Sequence, residues 1–188
     1  NTIERPAISA NGRMVTYEIN PQEGDGSLFI YDADRSMLVK SVERGTKSQS
    51  AADGSFVVYS ISPQHKVVRK MKLDKVKKDK MPKDSVGIFF DGREKRYPQL
   101  KSFVVPSEGG NWTAIHREKD KNGKKDTAAV KKKFKSEGTP LYFMRPSSGD
   151  SLMVSDVIAY AVAAQGTGAY VMQSVGDSAE VSVLLRFN

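Results

Sequence analysis

The stretches "ANGRMVTYEI" (10–19) and "AADGSFVVYSI" (51–61) follow the same pattern. In each, a glycine comes after Asn or Asp, a polar residue follows, and a largely apolar run then ends in Tyr-x-Ile. The two glycines, Gly12 and Gly54, are 42 residues apart. The match indicates a repeated structural unit, so we expect the function to depend on an assembly of units rather than on one local motif.

Two weaker copies of the pattern surround Gly110 and Gly166. The successive glycines are 42, 56 and 56 residues apart, and each of the two longer intervals contains a lysine-rich insert. Without most of each insert, the period falls to roughly 40–50 residues, which is the length of a β-propeller blade. The spacing therefore favours a propeller in which the four glycine-led segments occupy equivalent positions.

The residues after each glycine are apolar on both faces of the expected strand, and such a strand must be covered on both sides. We predict an all-β fold: a partial β-propeller of about three and a half four-stranded antiparallel blades with two Lys-rich inserts. The chain is expected to form a single propeller-like segment over residues 1–188. Its approximate blades are 5–45, 46–100, 101–156 and an incomplete 157–188. An ordinary β-sandwich is the alternative.

Composition excludes several classes of site. The 188 residues are enough for one domain with a core of its own. The chain has no cysteine, which rules out disulfides and thiolate metal sites. No stretch approaches the roughly 18 apolar residues that a membrane helix needs, so we predict no membrane span. No cofactor is expected.

The net charge of +8 is concentrated in the two inserts. Residues 66–83 carry a net charge of +7 and residues 117–135 carry +6, which leaves about −5 for the rest of the chain. The first insert has no aromatic residue and the second has only Phe134, whereas single-strand nucleic-acid binders place aromatic side chains among their charges. Nucleic acid is therefore an unlikely partner by this criterion, and binding to an anionic surface is a secondary possibility.

Within the first insert, residues 67–78 have the pattern of a short amphipathic helix. Its apolar side would turn Val68, Met71 and Val76 toward the body of the protein. We interpret both inserts as solvated connections between two strands of one blade.

The tetrapeptide "GDSL" (149–152) matches the signature of an esterase class in which Ser151 would be the nucleophile. Its surroundings are typical of a turn between two strands, and no G-x-S-x-G elbow occurs in the chain. The two histidines, His65 and His116, have no serine or paired acid near them in sequence, and we predict that both are solvated or half-buried. No catalytic, cofactor-binding or metal-binding residue is therefore predicted.

Two further segments have simple structural explanations. "YDADRS" (31–36) has alternating aspartates but lacks the glycine and terminal glutamate of a calcium loop, so a hairpin turn is expected. Trp112 lies at the repeated strand position, which favours core packing over a ligand cleft.

The opening "ISANGRMVTYEINPQEGDGSLFIYD" (8–32) resembles the N-terminal propeller of bacterial prolyl oligopeptidase-like serine peptidases. The blade signature of such propellers appears here as "SAADGSFVVY" (50–59). "MPKDSVGIF" (81–89) and "FKSEGTPLYF" (134–143), each near the end of an insert, are similar to segments of large secreted members. The third and fourth units depart from the signature, because neither has Asp-Gly at its turn.

The resemblance implies a role in peptide hydrolysis without catalytic residues in this chain. In that family the propeller gates and positions substrate, and a C-terminal α/β-hydrolase domain carries the Ser-Asp-His triad. The chain would then be a non-catalytic propeller segment of a secreted or periplasmic peptidase-like protein whose signal peptide has been removed. Its implied partners are the hydrolase domain of the parent protein and peptide substrates. The alternative is a stand-alone protein-interaction module of the cell envelope.

Overall fold

The computed structural model describes residues 2–119, 138–175 and 179–187. These residues form fourteen β-strands, one α-helix and one short 3-10 helix. The predicted all-β architecture, a partial propeller built from antiparallel blades, is confirmed. In the described ranges no helix is long and apolar enough to cross a bilayer.

The first two blades are meanders of four consecutive antiparallel strands. The strands of blade 1 are β1 (Thr2–Ile8), β2 (Met14–Asn20), β3 (Ser27–Asp32) and β4 (Met37–Glu43). Those of blade 2 are β5 (Gly45–Ser50), β6 (Phe56–Ile61), β7 (Ser85–Phe90) and β8 (Arg93–Tyr97). Between β6 and β7 the first insert contributes α1 (His65–Leu73) and the 3-10 helix Lys78–Lys80.

The remaining strands form one six-stranded sheet in sequence order. They are β9 (Leu100–Val104), β10 (Thr113–Arg117), β11 (Thr139–Met144), β12 (Ser151–Val162), β13 (Gly168–Val175) and β14 (Ala179–Arg186). The first half of β12 pairs with β11 and its second half pairs with β13. The long strand therefore acts as the last strand of blade 3 and continues as the first strand of blade 4.

One backbone feature marks each passage from the last strand of a blade to the first strand of the next. Arg44, Gln99 and Asp156 stand at these passages with φ angles of 62°, 63° and 53°. A positive φ is uncommon for residues with a Cβ atom. The break between β4 and β5 and the bend within β12 thus use the same positive-φ conformation. The difference is that β12 continues as one strand through its positive-φ residue.

The four glycines that define the sequence repeat all have positive φ angles. The values are 79° at Gly12, 65° at Gly54, 84° at Gly110 and 71° at Gly166. In three of these turns the glycine N–H donates to the carbonyl three residues earlier, at 2.8 to 2.9 Å. Glycine reaches this conformation without a steric penalty, so the repeat seen in the sequence is a repeated turn.

The core consists of three apolar clusters, each formed where two consecutive blades face each other. The cluster between blades 1 and 2 comprises Met14, Leu28, Ile30, Val42, Val57, Tyr59, Ile61 and Phe89. That between blades 2 and 3 comprises Ala51, Phe56, Val58, Val86, Ile88, Leu100, Val105 and Ile115. That between blades 3 and 4 comprises Trp112, Ala114, Leu141, Phe143, Val157, Ala169 and Val171. Strand β6 lies between two clusters, and all six of its residues are buried.

The amphipathic helix predicted in the first insert is present but shorter than expected. It begins at His65 and ends at Leu73, so Val76 lies beyond it. Val68 and Met71 are half-buried, whereas Leu73 is 75% exposed. Most of the second insert lies outside the described residues.

A cluster of charged groups joins the outer parts of blades 1 and 2. Glu94 accepts hydrogen bonds from the Tyr59 hydroxyl at 2.7 Å and from the Arg96 guanidinium at 2.7 and 3.1 Å. Lys40, on β4, lies 2.9 Å from the same carboxylate. Burial raises the pKa of Glu94, but the bonds from Arg96, Lys40 and Tyr59 outweigh it and bring that pKa to about 2. The carboxylate therefore stays ionised between the blades.

We expect Glu94 to make stability depend on pH. Because its pKa in the folded protein is lowered, its contribution is complete above the ordinary glutamate range and is lost as pH falls toward about 2. Glu94→Gln should therefore be less stable than wild type at neutral pH and should lose less stability on acidification. The urea midpoints of wild type and Glu94→Gln, measured at neutral pH and at about pH 3, give this difference in stability. Glu43→Gln, an exposed position on β4, is the control, and parallel pH profiles for wild type and Glu94→Gln would contradict the prediction.

Gly87 should be intolerant of any side chain. It pairs with Tyr59 across β6 and β7, and a Cβ atom there would overlap the Tyr59 ring. Because overpacking a core typically costs about 1–3 kcal/mol, Gly87→Ala should lower the free energy of unfolding by about that amount in urea denaturation. Ser85→Ala, at the half-buried start of the same strand, should change it by less than about 0.5 kcal/mol. Equal losses of stability in the two variants would show that the Tyr59 ring moves to make room for the added Cβ atom.

Candidate binding cleft between blades 1 and 2

A polar cleft of about 460 Å³ lies between the first strands of blades 1 and 2. Its walls come from β1, from the end of β2 and from the passage between β4 and β5, and residues of α1 and of the segments on either side of it complete the lining. The charged and polar side chains that line it are those of Glu4, Arg5, Glu18, Asn20, Asp25, Arg44, Thr46, Ser62, His65 and Asp84. Both signs of charge are therefore present in one small space.

Glu18 is the most buried charged group of the cleft, with 2% of its surface exposed. The Arg5 guanidinium donates to its carboxylate at 2.9 and 3.2 Å, and the Thr46 hydroxyl donates at 3.0 Å. The backbone N–H of Lys47 donates at 2.8 Å, and the Asn20 amide lies at 3.5 Å. A buried carboxylate needs such partners to offset the loss of water. The network ties β2 to the first strands of both blades.

Two irregularities in the first strands make this network possible. Arg5 and Lys47 have φ angles of 47° and 54°. The pairing register shifts at both places, between Glu4 and Ala7 in β1 and between Thr46 and Gln49 in β5. Such bulges re-aim the groups around them. Here the bulges direct the Arg5 side chain of blade 1 and the Lys47 N–H of blade 2 toward the Glu18 carboxylate.

Arg44 provides the second guanidinium of the cleft. Its backbone is fixed, because its N–H donates to the Gly26 carbonyl at 2.8 Å and its carbonyl accepts from the Ser62 N–H at 2.9 Å. Its side chain donates from Nη1 to the Ser62 carbonyl at 3.3 Å. The buried Nε has no hydrogen-bond partner among the described residues. A buried donor without a partner costs about 1–3 kcal/mol, so the position of this guanidinium carries an energetic cost that its other contacts must offset.

The N-terminal turn of α1 is bonded to the loop that follows β2. The backbone N–H of His65 donates to the Asp25 carboxylate at 2.8 Å. One turn later, Arg69 forms an ion pair with Glu23. These bonds hold the helix beside the cleft, so the exposed lysines of α1 lie near the cleft as well.

The structure keeps the sequence-predicted candidate residues apart. Ser151 is exposed at the start of β12, opposite Met144. Gly149 and Asp150 of the "GDSL" segment belong to a turn in which the Gly149 N–H donates to the Arg145 carbonyl at 2.9 Å, and Ser151 and Leu152 begin the strand. In the part of the chain that the structure describes, no hydrogen bond joins a serine to a histidine.

His116 differs from the prediction that it is solvated or half-buried. It is buried, its Nε2 lies 2.6 Å from the Thr139 hydroxyl, and its ring meets the edge of Tyr160 at 5.5 Å between centroids. Burial lowers its pKa, and the nearby Lys101 lowers it further, so the ring is neutral at neutral pH. Its role is packing between blades 3 and 4. His65 is exposed, as predicted.

Trp112 and the "YDADRS" turn have the structural roles that the sequence predicted. Trp112 is buried, and its indole N–H donates to the Gly166 carbonyl at 2.8 Å. Asp32 is buried at the end of β3, where it accepts hydrogen bonds from the Arg13 side chain and the Arg35 N–H. In the described ranges, no group of three or more His, Asp or Glu side chains could hold a metal ion.

Sequence reasoning missed the cleft, although one signal for it was present. Glu18 lies on the same strand face as Met14 and Thr16, which are buried. A glutamate on the buried face of a strand indicates an ion pair or a ligand site. The residues that complete the cleft come from segments far apart in sequence, and no local pattern groups them.

No protein-family model matches this sequence, and no curated protein matches it. Among solved structures, the β-propeller domain of the trilobed protease from Pyrococcus furiosus, described as having an open Velcro topology, is similar. It matches with a TM-score of 0.54 and 10% identity, over 98% of this chain and 54% of that one. This likeness shows the propeller fold, and the chain spans about half the length of that domain.

Two further solved structures align at lower scores. TolB from Acinetobacter baumannii matches with a TM-score of 0.46 and 10% identity, over 98% of this chain and 41% of TolB. Acylaminoacyl peptidase from Pyrococcus horikoshii matches with a TM-score of 0.48 and 9% identity, over 98% of this chain and 31% of the peptidase.

We expect Glu18 to stabilise the contact between blades 1 and 2. Glu18→Ala leaves the Lys47 N–H without its acceptor, whereas Arg5 is 55% exposed and can be solvated; leaving a buried donor unsatisfied typically costs about 1–3 kcal/mol. Urea denaturation should show a loss in that range. Glu4→Ala, at an exposed position of the same cleft, should cost less than about 1 kcal/mol. A similar small loss for Glu18→Ala would mean that the network does not hold the blades together.

Proposed function

We propose that this chain is the non-catalytic propeller segment of a prolyl oligopeptidase-like serine peptidase, secreted or periplasmic, and that it positions peptide substrates for a separate α/β-hydrolase domain. The observation that carries the proposal is the cleft between blades 1 and 2, which brings the guanidinium groups of Arg5 and Arg44 and the carboxylates of Glu4 and Asp84 to one surface. Peptide binding is the property of this segment that can be tested directly.

The chemistry of the cleft suits a peptide better than a polyanion. An extended peptide offers carbonyl oxygens and a terminal carboxylate, which guanidinium groups bind, together with N–H groups and a terminal ammonium, which carboxylates bind. Arg44 and Arg5 provide the first kind of partner, and Glu4 and Asp84 provide the second. The same acids would repel the phosphates of a nucleic acid.

The proposal has support from the sequence and from the fold. The blade signature and the segments near the two inserts resemble prolyl oligopeptidase-like propellers. The Pyrococcus furiosus domain with the same fold comes from a protease.

Arg44 should contribute to peptide binding. A fluorescein-labelled proline-containing hexapeptide with a free carboxyl terminus, titrated with this chain, should show saturable fluorescence anisotropy. Loss of one charged contact of about 1.4 kcal/mol weakens binding tenfold, so Arg44→Ala should raise Kd about tenfold or more. Arg35→Ala, in the exposed β3–β4 turn, is the matched control. Equal Kd values for the two variants, both correctly folded by circular dichroism, would remove the cleft from the proposal, and no binding by wild type would end it.

The chain alone should hydrolyse neither peptides nor esters. Wild type and Ser151→Ala should give the same background rate with a chromogenic proline peptide and with a short-chain p-nitrophenyl ester, because a serine nucleophile needs an adjacent base and no histidine or carboxylate in the described ranges is hydrogen-bonded to Ser151. Turnover by wild type that Ser151→Ala abolishes would instead establish the esterase interpretation of "GDSL" (149–152).

A further inference from the structure

A second pocket, of about 210 Å³, lies between the last strand of blade 2 and the turn that joins β11 to β12 in blade 3. We call it the outer pocket. It combines an apolar lining with three cationic side chains, and no acidic residue is among the described residues that line it. It shares no lining residue with the cleft between blades 1 and 2. The apolar lining consists of Ile88, Phe90, Tyr97 and Met144, and the cations are Arg93, Lys95 and Arg145.

The sequence repeat relates Lys95 to a lysine of blade 1. Four positions after the repeat glycine, the second strand of the blade pairs with Ile30 in blade 1 and with Ile88 in blade 2. These isoleucines pair in turn with Lys40 and Lys95. Lys95 therefore occupies in blade 2 the position that Lys40 has in blade 1. Lys40 forms an ion pair at 2.9 Å with Glu94, a carboxylate of the next blade.

Blade 3 does not provide Lys95 with a matching carboxylate. In blade 2, the residue three positions after the repeat glycine pairs with Phe89, and Phe89 pairs with Glu94. In blade 3, the same two steps lead to Met144 and then to Ser151. A serine therefore stands in blade 3 where blade 2 has the carboxylate that Lys40 binds.

The cations on β8 face the outer pocket. Arg93 and Lys95 alternate with Glu94 along the strand, so their side chains face blade 3 while the Glu94 carboxylate faces blade 1. Neither cation forms an ion pair or hydrogen bond with another residue that the structure describes. The Lys95 Nζ lies beside the blade 3 turn, 3.9 Å from the point where a Cβ atom on Gly149 would lie. The acid of that turn, Asp150, accepts a hydrogen bond from a serine of the same turn at 2.6 Å.

We propose that the outer pocket binds an acidic segment of a partner protein, with one carboxylate of the segment at Lys95 and Arg93 and a neighbouring apolar side chain against the apolar lining. The carboxylate takes the place that Glu94 has beside Lys40. A cavity of about 150 Å³ holds benzene, so the outer pocket is large enough for one aromatic or branched aliphatic side chain. The proposal uses no residue of the cleft and does not rest on the proposed function.

A protein segment suits the outer pocket better than a nucleic acid does. Proteins that bind single strands place successive aromatic rings along a basic groove. The rings of Phe90 and Tyr97 instead pack against the core cluster between blades 2 and 3, and the pocket has room for about one further ring. Guanidinium and ammonium groups bind a carboxylate through charge-assisted hydrogen bonds, and the apolar lining favours a carboxylate with an apolar neighbour.

Fluorescence anisotropy with an acidic peptide tests the proposal. The probe is Glu-Asp-Phe-Asp-Glu with fluorescein at its amino terminus and an amide at its carboxyl terminus, and wild type should bind it saturably. Lys95→Glu, at an exposed position, should raise Kd about tenfold or more, because it replaces an attraction by a repulsion. Lys70→Glu, at an exposed position of α1, changes the net charge equally and should bind as wild type does. Absence of binding by wild type, or equal Kd values for the two variants with unchanged circular dichroism, would overturn the proposal.

Ser151→Glu tests where the carboxylate of the peptide binds. The substitution places a carboxylate in blade 3 at the position of Glu94 in blade 2, where it should pair with Lys95 and compete with the peptide, raising Kd about tenfold. Ser151→Gln has nearly the same size without the charge and should bind as wild type does. Peptide binding that Ser151→Glu leaves unchanged would contradict the proposed position of the carboxylate.

Two further titrations identify the class of ligand. The peptide with Ala in place of Phe should bind about tenfold more weakly than the original peptide, and equal Kd values would show that the apolar lining takes no part. A labelled oligo-dT of twelve nucleotides should not bind at the outer pocket. Saturable binding of the oligonucleotide that Lys95→Glu abolishes would assign the pocket to nucleic acid and overturn the proposal.

The two binding sites can fail independently. Arg44→Ala should leave the Kd of the acidic peptide unchanged, and Lys95→Glu should leave that of the proline-containing hexapeptide unchanged, because the cleft and the outer pocket have no residue in common. Loss of acidic-peptide binding in Arg44→Ala would place that peptide in the cleft and contradict the outer pocket as its site.

Discussion

Blades that are apolar on both faces must cover one another, and this constraint determines the rest of the structure. Strand β6 shows it most clearly, because all six of its residues are buried between two clusters. Burying one large aliphatic or aromatic side chain is worth about 1.5–3 kcal/mol. Each of the three clusters contains several such side chains from both of the blades that it joins. A blade in isolation would lose this burial, so the stability belongs to the stack.

Two charged clusters set how blades 1 and 2 meet within this apolar stack. Glu18 joins the blades at their first strands, through Arg5 and Thr46. Glu94 joins them at their last strands, through Lys40 and its bonds to Tyr59 and Arg96. Apolar packing tolerates sliding between sheets, whereas hydrogen bonds to a buried carboxylate are directional. Fixing the contact near both edges therefore defines the angle between the blades and the width of the cleft.

The glycine repeat was sufficient to predict the fold, because a turn with positive φ needs glycine and so leaves a trace in the sequence. The continuous strand β12 could not be predicted, since the passages between blades use Arg44, Gln99 and Asp156, which have no residue type in common. The burial of His116 could not be predicted either, because its partner Thr139 follows the second insert in the sequence and so lies far from His116 along the chain. The cleft depends on several such distant pairs.

A single repeated position explains why the cleft occurs between blades 1 and 2. Six residues after the repeat glycine, three blades have a buried polar side chain, and these are Glu18, Ser60 and His116. In blade 3 this residue packs against the first strand of the next blade through Tyr160, an apolar ring. In blade 1 it meets bulged strands with Arg5 beside it, and Arg44 occupies the passage where the other blades have an uncharged or acidic residue. The repeat thus provides one polar position in three of the four blades, and in blade 1 the cationic neighbours of that position make the charged cleft.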